Sequence, residues 1–327
     1  MISTIAMFVK QAIIQGIPLL YGSTGEMVTE KSGNLNLGIP GIMYIGGISG
    51  VIGAYFYERS AEALNPFLCV LIPLMASLLG SVFLSMIYSF LTITLRANQN
   101  VTGLALTTFG IGVGNFFGGS LSSLFGEGGS ISLLKTGACF KATLPFADKL
   151  GLFGDTFLSF GFLAYLAIAI ALVASWVLGH TRIGLNLRAV GESPATADAA
   201  GINVTLYKYL ATCIGGAIAG LGGLYFVMDY IGGAWTNGGF GDRGWLAIAL
   251  VIFALWKPNI GILGSILFGG LYIVYLYIPG LGRSSQEIFK MLPYVVTILV
   301  LVLISMRKRR ENQPPAHLGL SYFREER

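Results

Sequence analysis

The stretch at residues 67–92, FLCVLIPLMASLLGSVFLSMIYSFLT, contains no charged residue. A helix of about 20 apolar residues crosses the hydrocarbon core of a bilayer, and this stretch is long enough to do so. Comparable runs recur along the chain and predict about nine membrane-spanning helices, within a range of eight to ten. These runs lie at residues 3–21, 37–57, 67–92, 101–121, 157–178, 206–228, 244–256 with a backward extension through the preceding glycines, 259–278 and 288–306.

The composition agrees with a membrane protein. The chain has 327 residues, of which 54% are hydrophobic and only 11% are charged, whereas soluble domains carry about 25% charged residues. This excludes an ordinary cytosolic enzyme, a disordered protein and a nucleic-acid-binding module. The predicted fold is an all-α polytopic membrane protein, with a transmembrane domain at residues 1–306 and a cytoplasmic C-terminal tail at 307–327.

The distribution of basic residues predicts the orientation. Four consecutive basic residues at 307–310 directly follow the last apolar run. Because short cytoplasmic segments are enriched in Lys and Arg, the C-terminus is predicted to be cytoplasmic. Counting back, the cytoplasmic segments are 22–36, 93–100, 179–205 and 257–258. The formal net charge of +5 therefore reflects orientation in the lipid bilayer, and no nucleic-acid partner is expected.

A short, well-delimited helix is predicted near residues 193–201 of the cytoplasmic segment. Ser193 is a good N-cap, Pro194 suits the first helical position, and Gly201 suits the C-terminal end. A helix this short is unstable alone in water, so it should dock on something. One interpretation is a groove on a partner protein, and the alternative is packing against its own helix bundle.

Polar residues also precede the second apolar run. The sequence Asn36-Leu37-Gly38 enters the membrane and is followed by Pro40 and several glycines, which predicts a broken helix near residues 37–47. Irregular backbone is tolerated in a membrane where it lines a cavity or is buried in protein. Asn34, Asn36 and Gly38 are therefore candidates for lining a translocation path. The alternative is that the glycines only permit close helix crossing.

The sequence offers no sign of catalysis or of a bound cofactor. The three cysteines and two histidines form no pattern typical of a metal site, and no phosphate-binding GxxxxGK[ST] motif is present. We therefore expect no enzyme activity, no metal and no cofactor in this chain. Charged residues are nearly absent from the predicted spans, with Asp229 at the end of a span as the nearest exception, so the energy for transport is expected to come from a partner.

Three blocks carry a family resemblance. They are GEMVTEKSGNLNLGIPGIM at 25–43, TRIGLNLRAVGESPATADAAGINV at 181–204 with GGAIAGLGGLYF at 215–226, and PPAHLGLSYFREER at 314–327. Together they resemble the permease subunit of bacterial ABC importers, in the family that contains ribose and branched-chain amino-acid permeases. The first block and the tail are most similar to the nucleoside or simple-sugar branch. Ile39-Pro40-Gly41 departs from the Glu-Gly usual in that branch.

The resemblance implies a set of partners and roles. It implies a second, related permease chain, an ATPase subunit with two nucleotide-binding domains that hydrolyses ATP, and an extracytoplasmic solute-binding protein. The location would be the bacterial plasma membrane. The 193–201 helix would be the coupling helix that enters the ATPase. The residues expected to carry coupling are Arg188, Glu192, Ser193, Pro194, Ala199 and Gly201.

The predicted function is import of nucleosides driven by ATP hydrolysis in the partner subunit. A simple sugar such as ribose or galactose is the alternative substrate. Two further alternatives from other classes are a secondary transporter that acts alone and a membrane-embedded enzyme. The first predicts uptake driven by an ion gradient without an ATPase, and the second requires a cluster of catalytic side chains at one membrane depth.

Overall fold

A computed structural model describes residues 2–124, 131–143, 149, 151–280, 282–307 and 313–324. Within these residues the chain consists of α-helices, short π- and 3₁₀-helical segments and one isolated β-bridge between Ser132 and Ala234. This confirms an all-α fold. Residues 308–310 of the basic cluster and much of the loop at 122–156 lie outside the described residues.

The described helices are numbered here in chain order. They are α1 (Ile2–Glu30), α2 (Ile39–Ser60), α3 (Pro66–Ser89), α4 (Gln99–Leu124), α5 (Leu134–Phe140), α6 (Gly151–Phe157), α7 (Phe162–His180), α8 (Arg182–Glu192), α9 (Pro194–Ala199), α10 (Val204–Tyr225), α11 (Arg243–Phe253), α12 (Pro258–Ile273), α13 (Arg283–Lys290) and α14 (Leu292–Arg307). Single π-helical turns at Phe90–Thr94 and Phe226–Tyr230 extend α3 and α10.

Eight helical segments in the described residues are long and apolar enough to cross a membrane. They are Thr4–Glu30, Ile39–Ser60, Pro66–Thr94, Gln99–Leu121, Phe162–His180, Val204–Tyr230, Pro258–Tyr277 and Ser284–Leu303. This number lies within the predicted range of eight to ten. The chain is therefore a multi-pass membrane protein.

Helices α1, α2 and α10 form the centre of the bundle, because each packs on several others. Helix α1 packs on α10 and α12, and α2 packs on α3, α4 and α10. Close approach of α2 and α10 requires glycine: a Cβ atom at Gly46 would lie 2.4 Å from the Gly220 carbonyl oxygen, and one at Gly223 would lie 1.8 Å from that of Met43. Small residues permit such backbone approach between membrane helices.

The predicted break within residues 37–47 is wrong. Helix α2 runs uninterrupted from Ile39, and the irregular backbone lies before it, at residues 31–38. Pro40 falls in the first turn, where the amide it lacks has no partner inside the helix anyway. Gly46 supports close helix crossing, which is the alternative explanation of the glycines.

The prediction that residues 22–36 form a cytoplasmic loop is also wrong for its first half. Helix α1 continues to Glu30 and is 29 residues long. Its last turns are buried, and they contain Glu26 and Glu30, which are 0% and 3% exposed. Carboxylates are therefore present inside a span, contrary to the expectation from the sequence. Helix α1 can contain them because both accept hydrogen bonds from neighbouring segments.

The seventh predicted span, at 244–256 with its backward extension, is a half-helix. Helix α11 has 11 residues, or about 16 Å of length, against a hydrocarbon core of about 30 Å. The preceding glycines do not extend it. Gly232, Gly233, Gly238 and Gly241 all have positive φ angles, so they form turns instead of helix.

Candidate translocation and coupling sites

The irregular connection at residues 31–38 is buried, and its backbone groups are paired with side chains from other helices. The amide of Leu35 donates to Gln99 Oε1 at 2.7 Å, and the amide of Asn36 donates to Glu26 Oε1 at 2.8 Å. The Leu35 carbonyl accepts from the Tyr88 hydroxyl at 2.6 Å. Buried backbone polar groups need such partners, so these contacts explain how a non-helical segment is stable here.

Asn34, Asn36 and Gly38 are brought together in this connection, and all three are buried. Asn34 Nδ2 donates to Thr212 Oγ1 at 3.2 Å, and Asn36 Oδ1 accepts from the Gly38 amide at 2.9 Å. Asn34 Oδ1 and Asn36 Nδ2 have no hydrogen-bond partner among the described residues. Both atoms are buried in this conformation, and a role of the three residues in the translocation path stays a prediction.

Glu26 and Glu30 hold the connection to the bundle, a role that sequence reasoning missed. Besides the Glu26 contact with Asn36, Glu30 Oε2 accepts a hydrogen bond from the Trp256 indole at the end of α11. The signal in the sequence was their spacing of four residues, which places both on one face of a continuing α1. Sequence reasoning missed this role because it assumed that a membrane-spanning helix ends before its first charged residue.

The predicted coupling helix exists as α9, preceded by α8, which the sequence analysis did not predict. Ser193 Oγ accepts from the Thr196 amide at 3.4 Å, Pro194 occupies the first helical position, and Gly201 has a φ of +83° just after the helix end. Helix α8 has its own cap, because Thr181 Oγ1 accepts from the Gly184 amide at 3.1 Å. That threonine was the available sequence signal.

The predicted coupling residues divide by exposure. Arg188, Glu192, Ala199 and Gly201 are exposed, Ser193 is half-buried, and Pro194 is buried. Pro194 therefore shapes the helix start and is not available to a partner. The outer side of α8 adds Ile183 and Leu185, which are 64% and 59% exposed. The α8–α9 pair thus presents apolar, small and charged side chains on its open side.

The α8–α9 pair is attached to the 31–38 connection by close backbone contact. A Cβ atom at Gly191 would lie 2.3 Å from the Lys31 carbonyl oxygen, so this contact requires glycine. Burial lowers the pKa of Lys31, while the nearby Glu192 raises it and Arg188 lowers it. The end of α8 therefore touches the connection both sterically and electrostatically.

The C-terminal tail, described at residues 313–324, joins the same assembly. The His317 amide donates to the Gly191 carbonyl at 3.0 Å, and the Gly319 amide donates to the Gly33 carbonyl at 3.1 Å. The Tyr322 hydroxyl donates to Asp198 Oδ2 on α9 at 3.0 Å. The connection, the α8–α9 pair and the tail therefore share one end of the molecule, as the sequence-based topology predicted for these segments.

Aromatic side chains line a narrow space between α2, α10 and the loop before α11. Tyr44 contacts Trp235 and Phe240 edge-on, with ring centroids 6.2 and 5.4 Å apart. Phe226 contacts Phe240 at 4.9 Å. We call Tyr44, Phe226, Trp235 and Phe240 the aromatic cluster. Phe226 belongs to a π-helical turn, a feature frequent at functional sites.

Arg243, the first residue of the half-helix α11, lies against this cluster and is only 7% exposed. Its guanidinium lies 4.7 Å from the centroid of the Phe226 ring and donates to Gln15 Oε1 at 2.9 Å. It also donates to the Phe240 carbonyl at 3.0 Å. Half-helices that start within the membrane mark binding sites in many transporters.

The space beside the aromatic cluster is about 10 Å³ in volume. That volume holds at most about one water molecule. It is lined by Met43, Tyr44 and Gly47 of α2 and by Gly223, Phe226 and Val227 of α10, among others. In this conformation the space beside the aromatic cluster therefore has no room for a solute larger than water.

The family model described as branched-chain amino acid transport system, permease component, matches residues 8–301. The chain belongs to this family. The match covers every membrane-spanning helix except the ends of the first and last. This permease family comprises ABC-transporter subunits, which are transport components and not enzymes, and it implies an ATPase partner.

Curated relatives cover nearly the whole permease. It is 32% identical to a nucleoside ABC transporter permease protein of Lactococcus lactis, over 92% of this chain and 93% of the relative. It is 30% identical to a guanosine ABC transporter permease protein of Bacillus subtilis, over 92% of each chain. It is also 30% identical to a putative glucose ABC transporter permease protein of Haloferax volcanii, over 94% of each chain.

Proposed function

We propose that this permease imports nucleosides, using ATP hydrolysed by its partner subunit. The observation that carries the proposal is the aromatic cluster with Arg243 beside it. A nucleoside combines a flat base, which stacks on aromatic rings, with hydroxyl and carbonyl groups that need hydrogen-bond partners. Gln15, Arg243 and Asn237 supply such groups around the cluster.

The opening of this passage follows from the packing. Tyr44 lies on α2, and Phe226 lies on α10, so separation of these two helices opens a slot between aromatic walls. Trp235 and Phe240 lie on the glycine-rich loop between α10 and α11, whose turns can rearrange. A change of conformation in the permease therefore converts the closed space into a base-sized slot.

We propose that the exposed side of the α8–α9 pair docks on the ATPase. Arg188, Glu192 and Ala199 lie on this side, and the pair contacts the 31–38 connection through Gly191. Because the connection joins α1 to α2, movement of the pair is transmitted to α2 and to Tyr44. The connection also presents Asn34, Asn36 and Gly38 to a solute that passes this end.

The proposed assembly is supported by the permease family to which the chain belongs. We propose a second, related permease chain, an ATPase subunit with two nucleotide-binding domains and an extracytoplasmic solute-binding protein. The chain would lie in the bacterial plasma membrane with its tail in the cytoplasm. The 31–38 connection, the α8–α9 pair and the tail would then face the ATPase from one side of the membrane.

The test is uptake into proteoliposomes that contain the complete transporter. Radiolabelled guanosine, uridine, ribose and glucose are compared, with and without ATP. Trp235→Ala is expected to lower nucleoside uptake at least tenfold, because it removes one wall of the slot. The control is Trp176→Ala on α7, a tryptophan that is 60% exposed. Uptake driven by an ion gradient without ATP would contradict the proposal and support a stand-alone transporter.

The second candidate is a sugar, favoured by the similarity to the putative glucose permease. A sugar has no flat base, so its uptake should depend on hydrogen-bonding groups such as Gln15 and Arg243 and little on Trp235. Glucose or ribose uptake that exceeds nucleoside uptake and survives Trp235→Ala would assign the sugar instead.

Coupling is tested separately with Arg188→Glu, an exposed substitution that should not disturb folding. We expect normal assembly with loss of substrate-stimulated ATPase activity and of uptake. Lys135→Glu, an exposed substitution on α5 at the opposite end of α2, is the control. Uptake unchanged by Arg188→Glu and by Gly201→Val would refute the role assigned to the α8–α9 pair.

A further inference from the structure

A polar cavity of about 510 Å³ opens beside the α8–α9 pair, away from the aromatic cluster. Its walls come from the end of α3, the start of α10 and the C-terminal tail. Lining residues include Thr92, Arg96, Asn203, Lys208, Ser321 and Arg324. None of Asn34, Asn36 and Gly38 lines this cavity, and of the residues assigned to coupling only Gly201 does.

Lys208 is the most informative residue in the cavity wall. It is only 3% exposed, in the second turn of α10. Lys208 lines the cavity, and the described residues provide no hydrogen-bond or ion-pair partner for its ammonium group. A cation with most of its side chain buried is stabilised by an opposite charge nearby, so the cavity favours an anion.

The remaining charges of the cavity also favour an anion. Arg96 lies on the wall with its guanidinium 4.6 Å from the Phe323 ring centroid. Arg324 is paired with Asp198, at 3.2 Å from Arg324 Nε to Asp198 Oδ2. Asp198 also accepts from the Tyr322 hydroxyl, so the one acidic group of the wall is engaged. Lys208 and Arg96 therefore leave the cavity positive.

Apolar side chains lead from the cavity along the outside of the bundle. Leu206, Leu210 and Ile214 are each about half exposed and follow one another on one face of α10. Phe83, Met86 and Phe90 form a second exposed row on α3 and its π-turn. Helices α3 and α10 pack on each other, so the two rows lie on neighbouring helices. Such rows can accommodate acyl chains while the cavity holds a head group.

We propose that this cavity binds the phosphate of an anionic phospholipid, with Lys208 and Arg96 as its ligands. Basic pockets between membrane helices at a cytoplasmic surface are suited to anionic head groups. The lipid would bridge α3, α10 and the tail, next to the α8–α9 pair. Its presence would therefore stabilise the end of the permease that faces the ATPase.

The test uses the purified full-length chain in detergent. Phosphatidylglycerol and phosphatidylcholine with the same acyl chains are titrated, and bound lipid is counted by native mass spectrometry. We expect preferential binding of phosphatidylglycerol. Lys208→Met keeps the length of the side chain without its charge and should weaken that binding about fivefold, the effect of one basic residue at a membrane surface.

Two further variants distinguish a specific site from general attraction. Arg96→Asn suits the positive φ angle at this position and should also weaken phosphatidylglycerol binding. Arg182→Gln removes an exposed charge from α8, outside the cavity, and should leave binding unchanged. If Arg182→Gln weakens phosphatidylglycerol binding as much as the cavity variants do, the binding reflects general surface charge and the proposal is overturned.

A competition experiment with inorganic phosphate tests whether the cavity binds the phosphate of a lipid or free phosphate from solution. If an excess of phosphate displaces phosphatidylglycerol and protects the chain against thermal unfolding equally well, the site takes a soluble phosphate and the lipid assignment is wrong. Equal binding of phosphatidylcholine, or binding that Lys208→Met leaves unchanged, would overturn the anion site altogether.

Discussion

The 31–38 connection and the aromatic cluster are both buried departures from regular helix, but they are held in different ways. In the connection, backbone amides and carbonyls are bonded to fixed side chains such as Glu26, Gln99 and Tyr88. In the aromatic cluster, rings meet edge-on around glycine turns and a π-helical turn.

The difference assigns the two regions different mechanical roles. Hydrogen bonds to a buried backbone are directional, and breaking one leaves a polar group unsatisfied, so the connection resists deformation. Ring contacts also have preferred geometries, but breaking one leaves no polar group unsatisfied, so they can be remade after a shift. The connection is therefore suited to transmit movement from the α8–α9 pair, and the aromatic cluster is suited to open and close.

The largest expected effect comes from the glycine crossing beneath the aromatic cluster. Gly223→Ala places a Cβ atom 1.8 Å from the Met43 carbonyl oxygen, and backbone must move to relieve it. We expect destabilisation of about 3 kcal/mol or more, because overpacking of a tight core costs this much. Thermal unfolding in detergent measures it.

Gly112→Ala is the matched control for that substitution, since nothing lies within 4 Å of a Cβ atom there. It should be tolerated without loss of stability. If both variants unfold at the same temperature, close packing of α2 on α10 is not what constrains the cluster.

The next effect tests the rigidity of the connection. Glu26→Ala removes the acceptor of the buried Asn36 amide and should destabilise the chain by about 1–3 kcal/mol, the penalty of one unsatisfied buried group. Glu62→Ala, at an exposed position after α2, should have little effect. A Glu26 variant with unchanged unfolding temperature would mean that the connection is not held by this bond.

A smaller effect is expected where the tail meets α9. Tyr322→Phe removes the hydroxyl that donates to Asp198 and should weaken tail docking by about 1 kcal/mol. Hydrogen exchange of amides at residues 313–324 measures the change. Tyr277→Phe, at a tyrosine whose ring packs against Phe8, serves as control. Unaltered exchange in the Tyr322 variant would show that the tail is held by its backbone contacts alone.

The smallest expected effect is that docking of the C-terminal tail on the α8–α9 pair depends on pH. Burial lowers the pKa of His317 below its ordinary value of about 6.5, and the nearby Lys208 lowers it further. The undocked tail therefore binds more protons as the pH falls below about 6.5, so docking weakens toward acid. Protection factors of the amides at residues 313–324, which correct for the intrinsic pH dependence of hydrogen exchange, should fall as the pH drops below about 6.5.

His317→Gln should flatten this profile, whereas His180→Gln, at an exposed position on α7, should not. A profile that persists in the His317 variant would assign the pH effect to another group.

The number of spans to within one, the α9 helix and the shared end of the polar segments could all be predicted from sequence. Each depends on local information. An apolar run of sufficient length must be in lipid, and Ser193-Pro194 with Gly201 marks a helix within a few residues. The three family blocks, which lie in these same segments, added the permease assignment through their resemblance to known permeases.

The buried carboxylates could not be predicted in the same way. In the sequence, Glu26 looks like the end of a span. Only the structure shows that α1 continues past it to Glu30, and that the Glu26 carboxylate accepts a hydrogen bond from the Asn36 amide. The glycines before α11 look like helix but form turns, in which Gly232, Gly233, Gly238 and Gly241 have positive φ angles. The aromatic cluster likewise joins residues from α2, α10 and a distant loop.

By itself, the sequence determined that this chain is a helical membrane protein, since hydrophobic length and helix caps act over short distances along the chain, and the resemblance of its three blocks added the permease family. Only the tertiary structure decided where the helices break, which charges are buried and which rings face one another. The physical reason is that a buried polar or irregular segment is stable only when its partners arrive from elsewhere in the sequence, as they do for Asn36 and Arg243.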